Sequence, residues 1–482
     1  MDVMQDKTLS DISRTKTIAT VGPACESFEI LQDLIYRGVD IFRLNMAHGS
    51  RESHETAIAR IRQAEAALQT SVGILIDLAG PKIRLGQLAE DPLVVTNGQQ
   101  LTFVRGVESA GVDELTCSYE GLVDEVQPGQ AIVLADGLVR LQVTAKTDDR
   151  VECVVMDGGT FRSRQGVNLP STQLSIPALG EKDRDNAVWA TTQSVDFVSL
   201  SFVRNADEIN ELKTLLRDHG CQAGVIGKIE KREALDNLDK IVLACDGVMV
   251  ARGDLGVEIE IYKTPVAQKK IIKTCLRHRR PVIVATQMLE SMHTSKQPTR
   301  AEVSDVANAI LDGADACMLS GETAIGQYPA EAVTMMQEIM LETEQLLKRT
   351  ASQISGPDDP NPNDVSEAVM FGAAQIAQQL EARIVVISSS TGETALIKSK
   401  QRDFIPTVCL THHREVARFI CLYWGVIPIC TGQPHTPEQF RSFVNEWAKS
   451  VALGRIGDPV VMVTDNQWMP DVHDNILVGR IS

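Results

Sequence analysis

Gly247-Val-Met-Val-Ala-Arg-Gly-Asp-Leu-Gly-Val-Glu258 decides the fold: a small, apolar run ends abruptly in a charged turn flanked by glycines. It reads as a buried strand that delivers charged groups at its tip. Residues two apart on a strand share a face, so Arg252 and Asp254 are expected to point the same way. Upstream, Val225-Ile-Gly-Lys-Ile-Glu230 repeats the arrangement with Lys228 and Glu230. One such tip is an ordinary strand end or a structural ion pair, whereas a series of them around one sheet makes a site.

Outward from that stretch, between Thr15 and about Leu341, short β-branched runs alternate with longer segments of helical period, the pattern of parallel βα units. The runs are Thr17–Val21, Val39–Leu44, Gly73–Leu78, Asp196–Phe202, Gly224–Ile229, Gly247–Ala251, Pro281–Thr286 and Ala314–Leu319. Eight parallel strands with intervening helices predict a (β/α)8 TIM barrel, with its chemistry at the C-terminal strand ends. About a hundred residues separate the third and fourth runs. Within them Gln99–Val104, Ala131–Leu134, Val139–Val143 and Val151–Val155 are broken by Gly, Asp and Asn, which predicts a small antiparallel β domain placed as a lid over the barrel mouth. Gln353–Asp364 is dense in Pro, Asp and Asn and reads as a linker. A second α/β unit follows, with strands expected at Ile384–Ser388, Thr407–Leu410, Val426–Ile429, Val460–Val463 and Ile476–Gly479. The class is therefore α/β: a barrel of residues 1–80 and 178–350, an inserted β-barrel lid of 81–177, and a separate C-terminal α/β domain of 351–482.

At 482 residues the chain exceeds the ~250–300 at which one core stops growing. A net charge of -17 and a pI near 5.1 argue against nucleic acid or an anionic membrane as partner. Ten scattered cysteines, without Cys-x-x-Cys pairs or zinc-like spacing, read as reduced core residues of a cytoplasmic protein. The pair His412-His413 reads as a surface turn or helix start. The polar start Met1–Asp6 and the lack of an apolar run near ~18 residues predict neither leader nor membrane span.

The remaining runs end in comparable chemistry. The first leads into Ala19-Thr-Val-Gly-Pro-Ala24, the second into Phe42-Arg-Leu-Asn-Met-Ala-His48 and the third into Ile76-Asp-Leu-Ala-Gly-Pro-Lys-Ile-Arg84. Arg43, Asn45, Asp77, Lys82 and Arg84 thus join Lys228, Glu230 and Asp254 at one mouth. Two carboxylates ringed by cations suit a divalent metal and a phosphorylated substrate, because Mg2+ takes one or two protein carboxylates plus water and substrate oxygens; an internal salt-bridge network is the alternative. Thr286, Ser320 and Glu322 lie at neighbouring strand ends, where they form a proton relay or else cap helices. Thr299-Arg-Ala-Glu302 has capping-box spacing and is assigned to a helix start. Neither a Walker loop nor a Rossmann fingerprint occurs.

Arg43-x-Asn45, Gly80-Pro-Lys-Ile-Arg84, Gly166-Val-Asn-Leu-Pro170, Gly227-Lys-Ile-Glu230, Ala251-Arg-Gly-Asp-Leu-Gly256, Ala285-Thr-Gln-Met288, Pro298-Thr-Arg-Ala-Glu302 and Ser320-Gly-Glu-Thr323 together resemble the pyruvate kinase family, in order and over nearly the whole chain. The resemblance implies phosphoryl transfer from phosphoenolpyruvate to ADP, giving ATP, followed by protonation of the enolate to pyruvate. It implies Mg2+, with Mn2+ as an alternative, on Glu230 and Asp254. Lys228 would sit on the moving phosphoryl group, and Arg43 and Arg84 on phosphate oxygens. The Gly253 and Asp254 N–H groups would receive the substrate carboxylate, with Ser201 and Thr286 nearby. Thr286, Ser320 and Glu322 would pass the proton. Thr20, Pro23, Asn45 and His48 match positions around the nucleotide, as do Arg84, Asp136 and Arg164 on the lid side. A homotetramer is usual in the family.

Departures from the family pattern are informative. Ala135-Asp136-Gly137 stands where Asp-Asp-Gly is common, and Gln165 replaces a lysine, so either Arg164 takes over a phosphate contact or the nucleotide binds more loosely. Potassium-dependent members carry a serine at the position of Ala47 and a glutamate at that of Lys82. The tethered ammonium of Lys82 is expected to replace K+, so that turnover does not require it. The C-terminal domain resembles one that binds sugar-phosphate effectors, through a phosphate loop containing Ser389, Ser390, Thr391, Gly392 and Thr394. Glu393 there, and Asp465–Pro470 in place of the usual Gly-Trp-Arg-Pro-Gly loop, argue against a bisphosphate and leave a monophosphorylated sugar or a nucleotide. A Mg2+-enolate lyase and a silent metabolite sensor are the competing readings. The cationic set and lid oppose the first, and intact Lys228, Glu230, Asp254 and Thr286 oppose the second.

Overall fold

Eight strands form where they are expected, each within two residues at either end: β1 (Lys16–Thr20), β2 (Val39–Asn45), β3 (Gly73–Asp77), β4 (Phe197–Leu200), β5 (Gly224–Ile229), β6 (Gly247–Ala251), β7 (Val282–Ala285) and β8 (Ala316–Leu319). The structure, a computed structural model, describes residues 12–106, 109, 111–170, 172–350, 365–432, 437–450, 455–464 and 475–482. The start at Met1–Asp6, the linker Gln353–Asp364 and the loop Asp465–Pro470 lie outside the described residues. The strands close a parallel barrel in the order β1-β8-β7-β6-β5-β4-β3-β2. Every position of β1, β3 and β6 is buried, as both faces of a parallel sheet require. Register aligns Asn45 with Asp77 and Asp77 with Ser199, which gathers the tips of β2, β3 and β4.

Between β3 and β4 lie a six-stranded and a two-stranded sheet over their own core, which includes Phe103, Phe161 and Leu141. The expectation of an antiparallel lid needs one correction. Gln100–Val104 runs antiparallel to Arg150–Asp157 but parallel to Glu114–Leu115. The connection between Val104 and Glu114 is far longer than a tight hairpin, so the chain is free to return in the same direction.

The C-terminal sheet has β9 (Ile384–Ser388), β10 (Thr407–Thr411), β11 (Val426–Cys430), β12 (Pro459–Thr464) and β13 (Asn475–Arg480), ordered β11-β10-β9-β12-β13 with only the last pair antiparallel. His413 is the residue before the Arg414–Ile420 helix, so the histidine pair does open a helix. That helix seals the bottom of the barrel. The Phe419 ring lies 4.8 Å from that of Phe197 at the start of β4. At the start of β5 a Cβ on Gly224 would lie 2.5 Å from the Phe419 ring, so only glycine fits. Barrel-interior Ile18, Ile41, Leu75 and Ile226 share one apolar cluster with Ile387, Ile420 and Leu422, although the sequence reads as two separate domains. Each such large side chain buried is worth roughly 1.5–3 kcal/mol. Around this seam Arg418 pairs with Glu65 at 2.6 Å and Lys400 with Asp315 at 2.7 Å. The Thr299/Glu302 capping box forms as read. All ten cysteines are free, and only Cys221 and Cys430 are not buried.

Candidate active site

Side chains of alternating sign cross the barrel mouth in the order Arg43, Asp77, Lys228 and Glu230. Asp77, 1% exposed at the tip of β3, receives Arg43 Nε at 2.7 Å and Ser199 Oγ at 2.6 Å. Lys228 Nζ lies 3.4 Å from Asp77 and 2.8 Å from Glu230 Oε1, and donates to Ser201 Oγ at 2.8 Å. Burial alone would lift the Asp77 carboxyl, but the charges of Lys228 and Arg43 overcome it and hold the group at about 2. Burial likewise opposes the Lys228 ammonium, yet Asp77 and Glu230 hold its pKa above the ordinary lysine value. Lys228 is therefore a permanent cation.

Glu230 is the unsettled member. Its Oε2 accepts the Phe202 N–H at 2.6 Å, but buried Oε1 receives no hydrogen bond despite its closeness to Lys228. Burial pushes this carboxyl up; Lys228 opposes the rise, and the charge of Asp254 adds to it. A buried carboxylate that feels the charge of a second one, Asp254, and whose Oε1 accepts no hydrogen bond fits a divalent cation. Among the described residues no cage of three or more His, Cys, Asp or Glu exists, so such an ion would complete its shell with water and substrate oxygens.

Arg252 departs from the sequence reading. β6 stops at Ala251 and a helix spans Arg252–Glu258, which turns Arg252 about 200° away from Asp254. The buried guanidinium donates to the carbonyls of Thr286 at 2.6 Å and Gln287 at 3.1 Å, and pairs with Asp305 at 2.6 Å. It thereby pins two left-handed residues, Thr286 at φ 67° and Gln287 at φ 54°. A β-branched residue held there costs of order 1–3 kcal/mol and persists only when its surroundings enforce it. Arg252→Lys keeps the charge but loses the second arm. It is expected to lower kcat about 10²-fold by letting the Thr286 hydroxyl drift. Steady-state kinetics with unchanged kcat would show that the turn holds itself.

Thr286 Oγ1 accepts the Gly253 N–H at 2.9 Å, so the donor assigned to a substrate carboxylate is already engaged. Glu322 accepts the backbone N–H groups of Leu289 at 3.1 Å and Ser320 at 2.7 Å. Among the described residues no hydrogen bond joins the side chains of Thr286, Ser320 and Glu322 to one another, and the buried Ser320 Oγ has no partner.

Comparison with known proteins gives the family and the fold. A family model described as pyruvate kinase, barrel domain, covers residues 12–333, and one described as pyruvate kinase, alpha/beta domain, covers 367–477. The chain belongs to the pyruvate kinase family. It is 44% identical to "Pyruvate kinase 2" of Synechocystis over 93% of this chain and 76% of that protein. It is 42% identical to a pyruvate kinase of Agrobacterium vitis over 94% of both. The crystal structure of a pyruvate kinase from Cryptosporidium parvum superposes with a TM-score of 0.92 at 35% identity, covering 99% of this chain and 98% of that one. The chain is thus a pyruvate kinase enzyme on a TIM barrel with a C-terminal α/β domain.

Other positions named from the pyruvate kinase resemblance are spread around the mouth. Thr20 is buried, donating to the Leu319 carbonyl at 2.9 Å and accepting from Arg43 Nη1 at 3.1 Å. Asn45 Oδ1 accepts the Ala47 N–H at 3.1 Å, while Pro23 and His48 are exposed. On the lid side Arg84 is exposed and donates to the Arg164 carbonyl at 3.1 Å, so it is not gathered to Lys228. Asp136 lies in the short turn Ala135–Gly137. Lys82 is exposed in a cavity lined also by Asp254, Phe202 and Lys231; Asp77 pairs with Arg43 and Lys228 instead. In the C-terminal loop the Gly392 N–H is taken by Ser389 Oγ at 3.0 Å and the Glu393 N–H by Thr391 Oγ1 at 3.3 Å, with Thr394 buried. No helix among the described residues is long and apolar enough to cross a membrane. The sequence reading missed Ser199, which its position on β4 two residues before Ser201 could have revealed, and the bracing role of Arg252.

Proposed function

We propose that this pyruvate kinase transfers the phosphoryl group of phosphoenolpyruvate to ADP at the Arg43–Asp77–Lys228–Glu230 mouth and then protonates the enolate to pyruvate. The observation that carries the reading is Lys228, a largely enclosed cation between two carboxylates and 2.8 Å from Ser201 Oγ. Phosphoryl transfer asks a protein mainly for positioning and fixed charge, and this ammonium is already oriented. Glu230 and Asp254 would hold Mg2+, or Mn2+, which when bound supplies charge neutralisation to the phosphoryl and carboxylate oxygens. Arg43, itself oriented by Asp77 and Thr20, binds phosphate oxygens, and Arg84 joins it when the lid swings in. The Gly253 and Asp254 N–H groups receive the substrate carboxylate once Thr286 releases the first of them. Thr20, Pro23, Asn45, His48, Asp136 and Arg164 surround the nucleotide. Thr286, Ser320 and Glu322 deliver the proton. The same reading places the effector at Ser389–Thr394 and the enzyme in a homotetramer.

Turnover is proposed to be independent of K+, with Lys82 supplying the charge. Support comes from the paired change, Ala47 in place of a hydroxyl ligand and a lysine at the mouth. Pyruvate formation from phosphoenolpyruvate and ADP with Mg2+ is expected to be full in potassium-free buffer and unchanged by KCl against a tetramethylammonium control. Activity only with KCl would discard the role of Lys82 and keep the reaction; inactivity in both arms would discard the reaction.

A further inference from the structure

We propose that His293 carries protons between solvent and the buried Glu322 carboxylate, and so governs the protonation that completes pyruvate; this rests on the reading of Ser320 and Glu322 as the relay for that step. Glu322 is 1% exposed and its oxygens are held by two backbone N–H groups, so it has no direct access to water. His293 closes the 3-10 turn Glu290–His293 that follows the Thr286 turn. Its Nε2 lies 3.9 Å from Glu322 Oε2 on one side and 3.9 Å from Glu290 Oε1 on the other. The His293 side chain is 27% exposed and that of Glu290 58%, a graded path from buried carboxylate to solvent. Among the described residues these two carboxylates lie within 4 Å of the ring nitrogen, Glu290 from its own turn and Glu322 from the Gly321–Ala324 helix packed against it.

A second observation points the same way. Nε2 of His293 is buried without a hydrogen-bond partner, and so is Oγ of Ser320. Nε2 lies 3.9 Å from Glu322 Oε2, and Ser320, which carries the second orphaned atom, gives its own backbone N–H to the same carboxylate; unpartnered buried polar atoms mark positions for bridging water, which turns the gap into a proton path. The glycine between Ser320 and Glu322 keeps the ring there, since a Cβ on Gly321 would overlap the imidazole. An imidazole ring offers two nitrogens, one able to donate a proton while the other accepts one. In the step, the imidazolium gives its Nε2 proton through water to the Glu322 carboxylate. The resulting acid passes a proton by way of Ser320 and Thr286 to the enolate carbon, forming its new C–H bond. The imidazole recovers a proton from solvent, so one proton is taken up for each pyruvate formed.

The test uses the full-length enzyme with Mg2+. His293→Ala and His293→Gln are compared for kcat, for KM of phosphoenolpyruvate and for tritium loss from the pyruvate methyl group, each with and without added imidazole. Both variants are expected to lose about 10-fold or more in kcat and in methyl exchange, with KM unchanged and the loss in His293→Ala recovered by imidazole. Rates within two-fold of the parent, or a loss in both variants that imidazole leaves untouched, would overturn the proposal. Glu322→Gln separates the two readings. If it abolishes exchange while His293→Ala does not, the relay stands and the role of His293 fails; if Glu322→Gln exchanges normally, the relay itself fails.

Discussion

Lys228→Met is expected to lower kcat by about 10³-fold or more, because the variant removes a fixed cation from the point where charge develops during transfer. The group is pre-set for that role: two carboxylates and Ser201 fix its position, and Asp77 and Glu230 keep it charged. KM for phosphoenolpyruvate should change far less than kcat, since an interaction made mainly in the transition state shows itself in turnover. Removing one partner of a buried charge set also destabilises, by roughly 3–5 kcal/mol for a buried pair, although Arg43 still covers Asp77. Acid sensitivity offers an independent check. Asp77 has a folded pKa below its unfolded value, so its contribution to stability is present above the unfolded pKa and is lost as pH falls toward about 2. Without Lys228 the folded pKa rises toward the unfolded one, so the contribution shrinks and its loss is complete at a higher pH. A Lys228→Met enzyme with parental kcat would remove Lys228 from the chemistry, and unaltered acid unfolding would mean that Arg43 alone sets the Asp77 charge.

Glu230→Gln is expected to lower kcat/KM by about 10³-fold, equivalent to ~4 kcal/mol of transition-state stabilisation. The amide still accepts the Phe202 N–H, so the local backbone is retained while one proposed metal oxygen is lost. The discriminating measurement is a Mg2+ titration: half-saturation should move to much higher metal concentration, and excess Mg2+ should restore part of the rate. Loss of rate with an unshifted titration would place the metal elsewhere and reduce Glu230 to an orienting partner of Lys228.

The barrel is legible in the sequence because its strands are buried on both faces and read as unbroken apolar runs. Charged residues sit at the tips because the tips are where the chain meets water. Lys228 and Glu230 lie 2.8 Å apart, as their two-residue spacing implies, because β5 stays extended to Ile229 and no helix begins at Glu230. Arg252 does not follow its spacing, since β6 gives way to a helix one residue earlier than the charge pattern implies, and the spacing of a helix sends Arg252 and Asp254 apart. The left-handed turn at Thr286–Gln287 left no trace in composition, because neither residue is glycine or asparagine. The parallel strand in the lid was hidden by a long connection whose direction no local pattern records. Lys82 was recognised as a departure in kind, but its exposed position beside Asp254 depends on the lid and barrel meeting, which no single stretch encodes.

The floor of the barrel, built from Phe419, Ile420 and Leu422 of the other domain, has a consequence for what counts as a unit. Gly224 is shaped for a ring that arrives from nearly two hundred residues further along the chain, so the barrel is an incomplete object until the C-terminal sheet has docked. The two halves are modular as patterns of strands yet share one apolar cluster. Exchanging the C-terminal domain between relatives thus means matching a socket as well as a linker.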